Sequence, residues 1–138
     1  MSGKSRSLSF AALTLLALAY ITFLSAQSPA SKLMPKVIDL GTGDQEYIRL
    51  LGGPPESVTM RAGAVALSPG KTVGKHSTEN YEELLVILEG QGTVIYADGK
   101  LLKVKAGTVQ YCPPDTEHDV KNTGTGMLRY VYVVAKTR

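Results

Sequence analysis

The sequence predicts an all-β domain built from many short strands. Glycine is frequent, with 14 among 138 residues, and segments long enough for an amphipathic helix are missing after residue 32. Short apolar or alternating stretches recur between turn residues, which is typical of a β-sandwich or a small β-barrel. A hydrophobic fraction of 43% suits a packed core, and the length suggests one domain.

Three candidate strands open the domain. Residues 37–40 and 47–51 are short stretches on either side of a glycine-rich turn. Residues 57–67 form a clearer strand, in which side chains alternate between two faces and Gly63 marks a place for a bulge. Arg61 is a charged outlier in this apolar strand. It either faces the interior, where it would bind a substrate carboxylate, or is an ordinary surface residue, which is the interpretation we favour.

Residues 72–78 are predicted to form the strand that carries one of the chain's two histidines. Alternation with a period of two places the side chains of His76 and Thr78 on the same face. Residues 84–88 are a continuous apolar run that is too short for a helix. We therefore predict that this run is a strand buried on both faces.

The rest of the domain continues as short strands separated by turns. Asp98-Gly99 lies between two β-rich runs and predicts a hairpin with positive φ at both turn positions. The strand tyrosines of this region are Tyr96, Tyr111, Tyr130 and Tyr132. They either line a pocket as hydrogen-bonding aromatic groups or pack in the core or on a sheet face, which is the interpretation we favour. The remaining strands are predicted over residues 92–97, 100–105, 109–112, 118–121 and 127–135.

Residues 1–26 differ in kind from the rest of the chain. Lys4 and Arg6 form a short basic start, and residues 10–24 are almost wholly apolar. A polar segment follows directly. This is the layout of a secretory signal peptide, and the apolar run is short for a membrane-spanning helix.

Three segments are therefore expected: a signal peptide at 1–26, a linker at 27–36 and a single β-domain at 37–138. The domain would be exported, either to the periplasm or out of the cell, with no stable membrane span after cleavage. An uncleaved membrane anchor is the alternative. Without residues 1–26 the chain keeps 13 basic and 12 acidic residues, a net charge of +1.

The charge pattern argues against one class of partner, and the single cysteine excludes one kind of covalent bond. Basic residues are scattered among acidic ones and form no stripe with interleaved aromatic residues, so nucleic acid is not an expected partner. Cys112 is the only cysteine, which excludes an internal disulfide. It lies in an apolar run and is interpreted as a small core residue, since a nucleophile would need an activating base.

Two spaced motifs stand out in the second half of the chain. The first has spacers of five, one, four and six residues and consists of Gly70, His76, Thr78, Glu83 and Gly90. The second has spacers of five, one, two and three residues and consists of Gly107, Pro113, Asp115, His118 and Asn122. Their order and spacing resemble the two motifs of the cupin superfamily, with Thr78 in place of a second histidine and Asp115 in place of a glycine.

The resemblance implies a fold and a metal site. The fold is a double-stranded β-helix barrel, related to the jelly roll, with the two motifs side by side inside it. His76, Glu83 and His118 occupy the ligand positions for a divalent transition metal, and Thr78 would stand where the fourth ligand belongs. Replacing Thr78 with histidine is then expected to raise metal affinity. Two imidazoles and a carboxylate suit iron, manganese, nickel, copper or zinc, and leave positions open for substrate.

Other acidic residues are less suited to this site. Glu82 and Glu83 are adjacent and point to opposite faces of a strand, so Glu82 is expected in solvent. Glu79 is expected to be a surface charge, and Asp119 to point away from His118.

Several functions agree with these features. The first is an exported metal-dependent enzyme that acts on a small oxygen-rich molecule, as a dioxygenase, isomerase or lyase of the cupin type. The alternative is a non-catalytic barrel that binds a sugar or organic acid and whose metal site has decayed. A transcription regulator is disfavoured because the sequence has no helix-turn-helix segment. Small cupins also pair as dimers through sheet edges, so a homodimer is expected.

Overall fold

The computed structural model describes residues 33–41 and 45–137. These residues contain nine strands and no helix. The signal peptide predicted at 1–26 and the first part of the predicted linker lie outside them. No helix in the described ranges is long and apolar enough to cross a membrane. The strands are β1 (Tyr47–Gly52), β2 (Arg61–Leu67), β3 (His76–Ser77), β4 (Tyr81–Glu89), β5 (Gln91–Tyr96), β6 (Leu101–Lys105), β7 (Val109–Cys112), β8 (Glu117–Asn122) and β9 (Leu128–Lys136).

The strands form two antiparallel sheets that face each other. One has five strands in the order β1-β2-β9-β4-β7, and the other has four in the order β3-β8-β5-β6. Neighbours in the sheets are often distant in sequence, as in the pairing of β2 with β9. This arrangement agrees with the predicted all-β barrel of the double-stranded β-helix type.

The core lies between the sheets and is filled by side chains of β2, β4, β5, β6, β8 and β9. Leu85 and Ile87 on β4 are only 1% and 2% exposed, and burying each is worth about 1.5–3 kcal/mol. The other buried members of this cluster are Val65, Leu67, Val94, Val104, Val120, Leu128 and Tyr130. Strands of both sheets contribute to it, so their inward faces are held together by apolar packing.

The predicted strands are largely confirmed, with differences at their ends. Residues 37–40 form no strand, and β2 begins at Arg61 rather than at residue 57. The bulge expected at Gly63 is instead in β1, where the register shifts between Arg49 and Leu51, while β2 pairs with β9 without interruption.

Two further details of the prediction were wrong. Leu84 and Leu88 are exposed, so the run at 84–88 is buried on one face only. The hairpin between β5 and β6 is present, but only Gly99 has a positive φ there. The Gly99 N–H donates to the carbonyl of Tyr96, and a longer three-residue loop replaces the expected two-residue turn.

Candidate metal centre

The site is built by two rows of side chains that face each other across the barrel. On the four-stranded sheet, His118 pairs with His76 on one side and with Tyr96 on the other. On the five-stranded sheet, Glu83 pairs with Cys112 and with Val134. Residues opposite one another on neighbouring strands point to the same face. Strand pairing therefore brings residues that are far apart in sequence into one place.

The three predicted ligands meet at this place. One ligand atom from each of His76, Glu83 and His118 lies within 4.8 Å of the others. The side chain of His118 is 0% exposed and that of Glu83 is 8% exposed, whereas His76 lies at the exposed end of the row. The imidazole rings of the two histidines are 4.5 Å apart between centroids.

The contact between Glu83 and His118 has the features of two ligands that point at one ion. Glu83 Oε2 and His118 Nε2 are 3.0 Å apart, and neither atom has a hydrogen-bond partner elsewhere. Ligand atoms about 2.0–2.2 Å from a common metal are separated by roughly this distance. When His118 is neutral and its Nε2 carries no hydrogen, both facing atoms are acceptors and the buried carboxylate lacks a donor. A cation between the two atoms would remove the cost of that burial.

The orientation of both imidazoles leaves Nε2 available. His118 Nδ1 lies 3.3 Å from the carbonyl oxygen of Thr116, and His76 Nδ1 lies 2.8 Å from that of Gly74. A carbonyl oxygen only accepts, so each Nδ1 carries the hydrogen and each Nε2 of a neutral ring is free to bind a metal. The Gly74 N–H donates in turn to Asp119 Oδ1 at 3.0 Å, which fixes the segment before His76.

The electrostatics of the site agree with this geometry. Burial opposes protonation of His118, but its contact with the Glu83 carboxylate outweighs burial and raises the pKa of the imidazole. A proton and a metal ion would thus compete for the same space. Cys112 Sγ lies 3.5 Å from His118 Nδ1. Burial, together with the charge of Glu83, raises the pKa of this thiol to about 11, so it is neutral at physiological pH.

Thr78 does not occupy the place that we expected. It is absent from the cavity lining, and its hydroxyl donates to the carbonyl of Pro113 at 2.8 Å and accepts from the N–H of Thr116 at 2.9 Å. The physical reason is that β3 ends at Ser77, so the alternation of a strand does not extend to Thr78. These two hydrogen bonds fix the loop between β7 and β8, so the hydroxyl is not directed at the ligand cluster.

The other acidic residues lie as expected. The Glu82 side chain is on the opposite face of β4 from Glu83, where the Tyr111 hydroxyl donates to its carboxylate at 3.2 Å. Glu79 is exposed and has a φ of 50°. Asp115, which stands where the motif has glycine, has a φ of 53°. This left-handed conformation favours glycine but is tolerated by aspartate.

The cluster of His76, Glu83 and His118 opens into a cavity of about 510 Å³ between the sheets. Apolar side chains from both sheets form part of its wall, among them Val65, Leu85 and Val120. Its polar and aromatic lining consists of Tyr47, Arg61, Lys75, Tyr130 and Tyr132, together with His76, Glu83 and His118. A small organic molecule therefore has access to the ligand cluster.

Sequence reasoning left open that Arg61 and Tyr132 line a pocket, but it favoured a surface position for Arg61 and core or sheet-face packing for Tyr132. Arg61 is exposed as we favoured, but it lines the cavity as well. Tyr132 is only half-buried and also lines the cavity, while its hydroxyl lies 2.8 Å from that of Tyr47. The period of β2 places Arg61 in phase with the buried Val65, and that signal was available in the sequence. The role of Tyr47 depends on strand pairing and had no local signal.

Comparisons with known proteins agree with the geometry. Residues 63–134 match the sequence pattern of the cupin domain. The oxalate-binding protein of Thermotoga maritima is 34% identical over 97 residues, which cover 68% of this chain and 78% of that protein.

Solved structures show the same fold. A cupin family protein with a double-stranded β-helix fold from Methanocaldococcus jannaschii has a TM-score of 0.61 and 20% identity, covering 76% of this chain and 94% of that chain. A predicted oxalate decarboxylase from Thermotoga maritima has a TM-score of 0.52 and 23% identity, covering 67% and 94%. With the motif match and the paired motifs inside a two-sheet barrel, these findings show that the chain belongs to the cupin family.

Proposed function

We propose that this protein binds one divalent transition metal through His76, Glu83 and His118, and that the metal centre binds a small carboxylic acid. The observation that carries the proposal is the 3.0 Å contact between Glu83 Oε2 and His118 Nε2, two buried ligand atoms that have no hydrogen-bond partner other than each other. The adjoining cavity has room for a small molecule.

The ligand class is supported by chemistry and by one relative. A divalent metal in this site would act as a Lewis acid and attract a carboxylate oxygen. Three protein ligands leave coordination positions open, as in catalytic metal sites. The relative from Thermotoga maritima is described as oxalate-binding. Apolar walls around the open side would orient the acid and limit the access of water.

Metal analysis tests the proposal directly. The protein is purified without an affinity tag, loaded with Mn²⁺ or Zn²⁺, and its metal content and affinity are measured. We expect one ion per chain, and at least about a tenfold loss of affinity in His118→Ala and Glu83→Gln, since even residues that only support a ligand have effects of this size. Glu82→Gln is the matched control, because it makes the same change on the other face of β4.

Two results would contradict the assignment. Unchanged metal content in His118→Ala would show that the ligands are wrong. A wild-type protein that takes up no transition metal would favour the alternative, a barrel that binds an acid without metal. Calorimetry with oxalate, combined with analysis of the products, separates binding from a dioxygenase, isomerase or lyase reaction.

We also propose export, on the basis of the signal-peptide pattern of residues 1–26. A fusion of residues 1–30 to a reporter that is active only outside the cytoplasm should give activity. A fusion in which Leu15 and Leu16 are replaced by arginine should not, because the apolar segment is interrupted. A soluble cytoplasmic protein that retains Met1 would contradict export.

We further propose that two copies associate. The five-stranded sheet has apolar side chains on its outer face, where Leu84 pairs with Tyr111 and Val86 with Val109. Leu84, Val109 and Tyr111 are 38%, 59% and 54% exposed. Covering this outer apolar face with a second copy would remove it from water.

A further inference from the structure

We propose that Arg61, with the Tyr47–Tyr132 hydroxyl pair, forms a second anion subsite in the same cavity as the metal centre, so that the ligand is a dicarboxylate with carbon atoms between its two carboxylates. This inference rests on the proposed function, because the first carboxylate is assigned to the metal. It adds the group that receives the second carboxylate.

The strand register places Arg61 on the same row as the metal ligand of its sheet. Arg61 pairs with Val134, and Val134 pairs with Glu83 on its other side. All three residues line the cavity. Neighbouring strands are about 4.8 Å apart, so Arg61 and Glu83 start from backbone positions separated by about 10 Å. Arg61 and Glu83 form no ion pair, so the guanidinium and the carboxylate are more than 4.0 Å apart although both residues line one cavity.

An aromatic ring holds the guanidinium of Arg61 in position, but no carboxylate in the described ranges neutralises its charge. Its Cζ lies 5.1 Å from the ring centroid of Tyr81, so one face of the guanidinium is packed on an aromatic ring. This leaves the N–H groups at its edge available for a bidentate contact with a carboxylate. Within the described ranges, Arg61 forms no ion pair, whereas the other cation of the cavity lining, Lys75, is paired with Glu117.

The tyrosine pair supplies a hydrogen-bond donor next to this charge. The hydroxyls of Tyr47 and Tyr132 lie 2.8 Å apart, and their rings are stacked with centroids 6.3 Å apart. Two hydroxyls carry two hydrogens, and the contact between them uses one. The other hydrogen is free to donate to an anion. Tyr132 pairs with Gly63, two residues along β2 from Arg61, which places the tyrosine pair on the same part of the sheet as the guanidinium. Burial raises the pKa of Tyr132, and the positive charge of Arg61 partly opposes that rise.

The separation of the two subsites indicates the length of the ligand. In oxalate the two carboxyl carbons are joined directly by a single bond of about 1.5 Å. That arrangement suits chelation of a metal by both carboxylates and leaves Arg61 without a role. An acid with one or more carbons between its carboxylates would reach both subsites. Arg61 therefore distinguishes this class from monocarboxylates and from oxalate.

The experiment compares acids of equal length on the full chain loaded with Mn²⁺. Calorimetry measures the affinities for malonate, succinate and glutarate against propionate, butyrate and valerate, with oxalate included. We expect at least one of the longer dicarboxylates to bind roughly 10- to 100-fold more tightly than its monocarboxylate match, the range expected for a hydrogen-bonded charge pair. Arg61→Met should abolish that preference and leave Mn²⁺ content and monocarboxylate affinity unchanged.

Control variants separate a specific contact from a general charge effect. Arg129→Met removes an arginine that pairs with Glu89, does not line the cavity, and should leave the preference intact. Tyr132→Phe removes one hydroxyl and should weaken dicarboxylate binding less than Arg61→Met does. Arg61→Lys keeps the charge without the planar fork and should retain only part of the preference.

The possible failures are distinguishable. Absence of Mn²⁺ binding by the wild-type protein would overturn the proposed function and this inference with it. Normal Mn²⁺ and monocarboxylate binding without any dicarboxylate preference would overturn this inference alone. An equal loss of both acid classes in Arg61→Met, or the same loss in Arg129→Met, would also overturn it.

Discussion

Single side chains at the metal centre have separate tasks that their surroundings explain. His118 is oriented by the carbonyl of Thr116, and its Nε2 meets the Glu83 carboxylate. Cys112 packs behind the imidazole, where its side chain is 0% exposed. Because the Cys112 thiol is small and neutral, it encloses the His118 imidazole without placing a second charge beside the Glu83 carboxylate. The thiol is thus part of the wall of the site, as its apolar sequence context predicted.

Because of this enclosure, the thiol of Cys112 should be unreactive in the native protein. With a pKa of about 11 it is almost entirely protonated at pH 8, and the reagent cannot reach it. We expect labelling by a disulfide reagent to be at least roughly 100-fold slower than for an unfolded cysteine, whose pKa is about 8.5. The measurement is the absorbance of released thiolate with and without denaturant. Rapid stoichiometric labelling of native protein would contradict the burial.

At the scale of elements, a short strand and a loop hold each other in place. β3 has only two residues, and directly after it the backbone N–H of Thr78 donates to the carbonyl of Thr116. The Thr78 hydroxyl makes hydrogen bonds at both ends of the loop between β7 and β8: it donates to the carbonyl of Pro113 and accepts from the N–H of Thr116. Since His76 and His118 are adjacent to these segments, the contacts set the distance between the two imidazoles.

Replacing Thr78 tests this role without changing a metal ligand. Thr78→Val keeps the shape of the side chain but leaves an N–H and a carbonyl without their partner, which should cost about 1–3 kcal/mol of unfolding free energy. Thr78→Ser keeps the hydroxyl and should cost less. Urea denaturation of both variants gives the comparison. If Thr78→Val is as stable as Thr78→Ser, the hydroxyl contacts contribute little.

The same contacts change our expectation for Thr78→His. An imidazole there would remove the hydroxyl from Pro113 and Thr116, so any gain in metal affinity would be accompanied by a loss of loop contacts. The sequence motif assigned Thr78 to the site by spacing. Spacing does not report where a two-residue strand ends, and that end decides the direction of the side chain.

At the scale of the whole molecule, the fold could be predicted from two kinds of sequence signal. One is the alternation of side chains within a single strand, and the other is the regular spacing of motif residues. Alternation located β2 and β9, and the two motifs located His76, Glu83 and His118, which the structure brings together. What the sequence did not provide was the pairing between distant strands. The exposure of Leu84 depends on how the sheets face each other. The contact of Tyr47 with Tyr132 depends on β1 and β9 lying on either side of β2, where Gly63 has no side chain to occupy the place of the Tyr132 ring.

The outer apolar face of β4 and β7 leads to a prediction about assembly. Leu84→Glu places a charge opposite Tyr111 and should convert a dimer into a monomer, because a buried unpaired charge at an interface is costly. Light scattering over a range of protein concentrations measures the change. Leu101→Glu is the control, since Leu101 is 61% exposed on β6 in the other sheet. A wild-type protein that is monomeric at high concentration would contradict the proposal.

The position of the ligands has a consequence for how firmly the barrel is closed. His76 and His118 belong to one sheet and Glu83 to the other, so an ion bound by all three would join the two sheets at their open end. Any ion that binds the folded chain and not the unfolded one stabilises folding in proportion to the logarithm of its free concentration. The supply of metal in the surroundings would then govern the lifetime of the protein as well as its ligand binding.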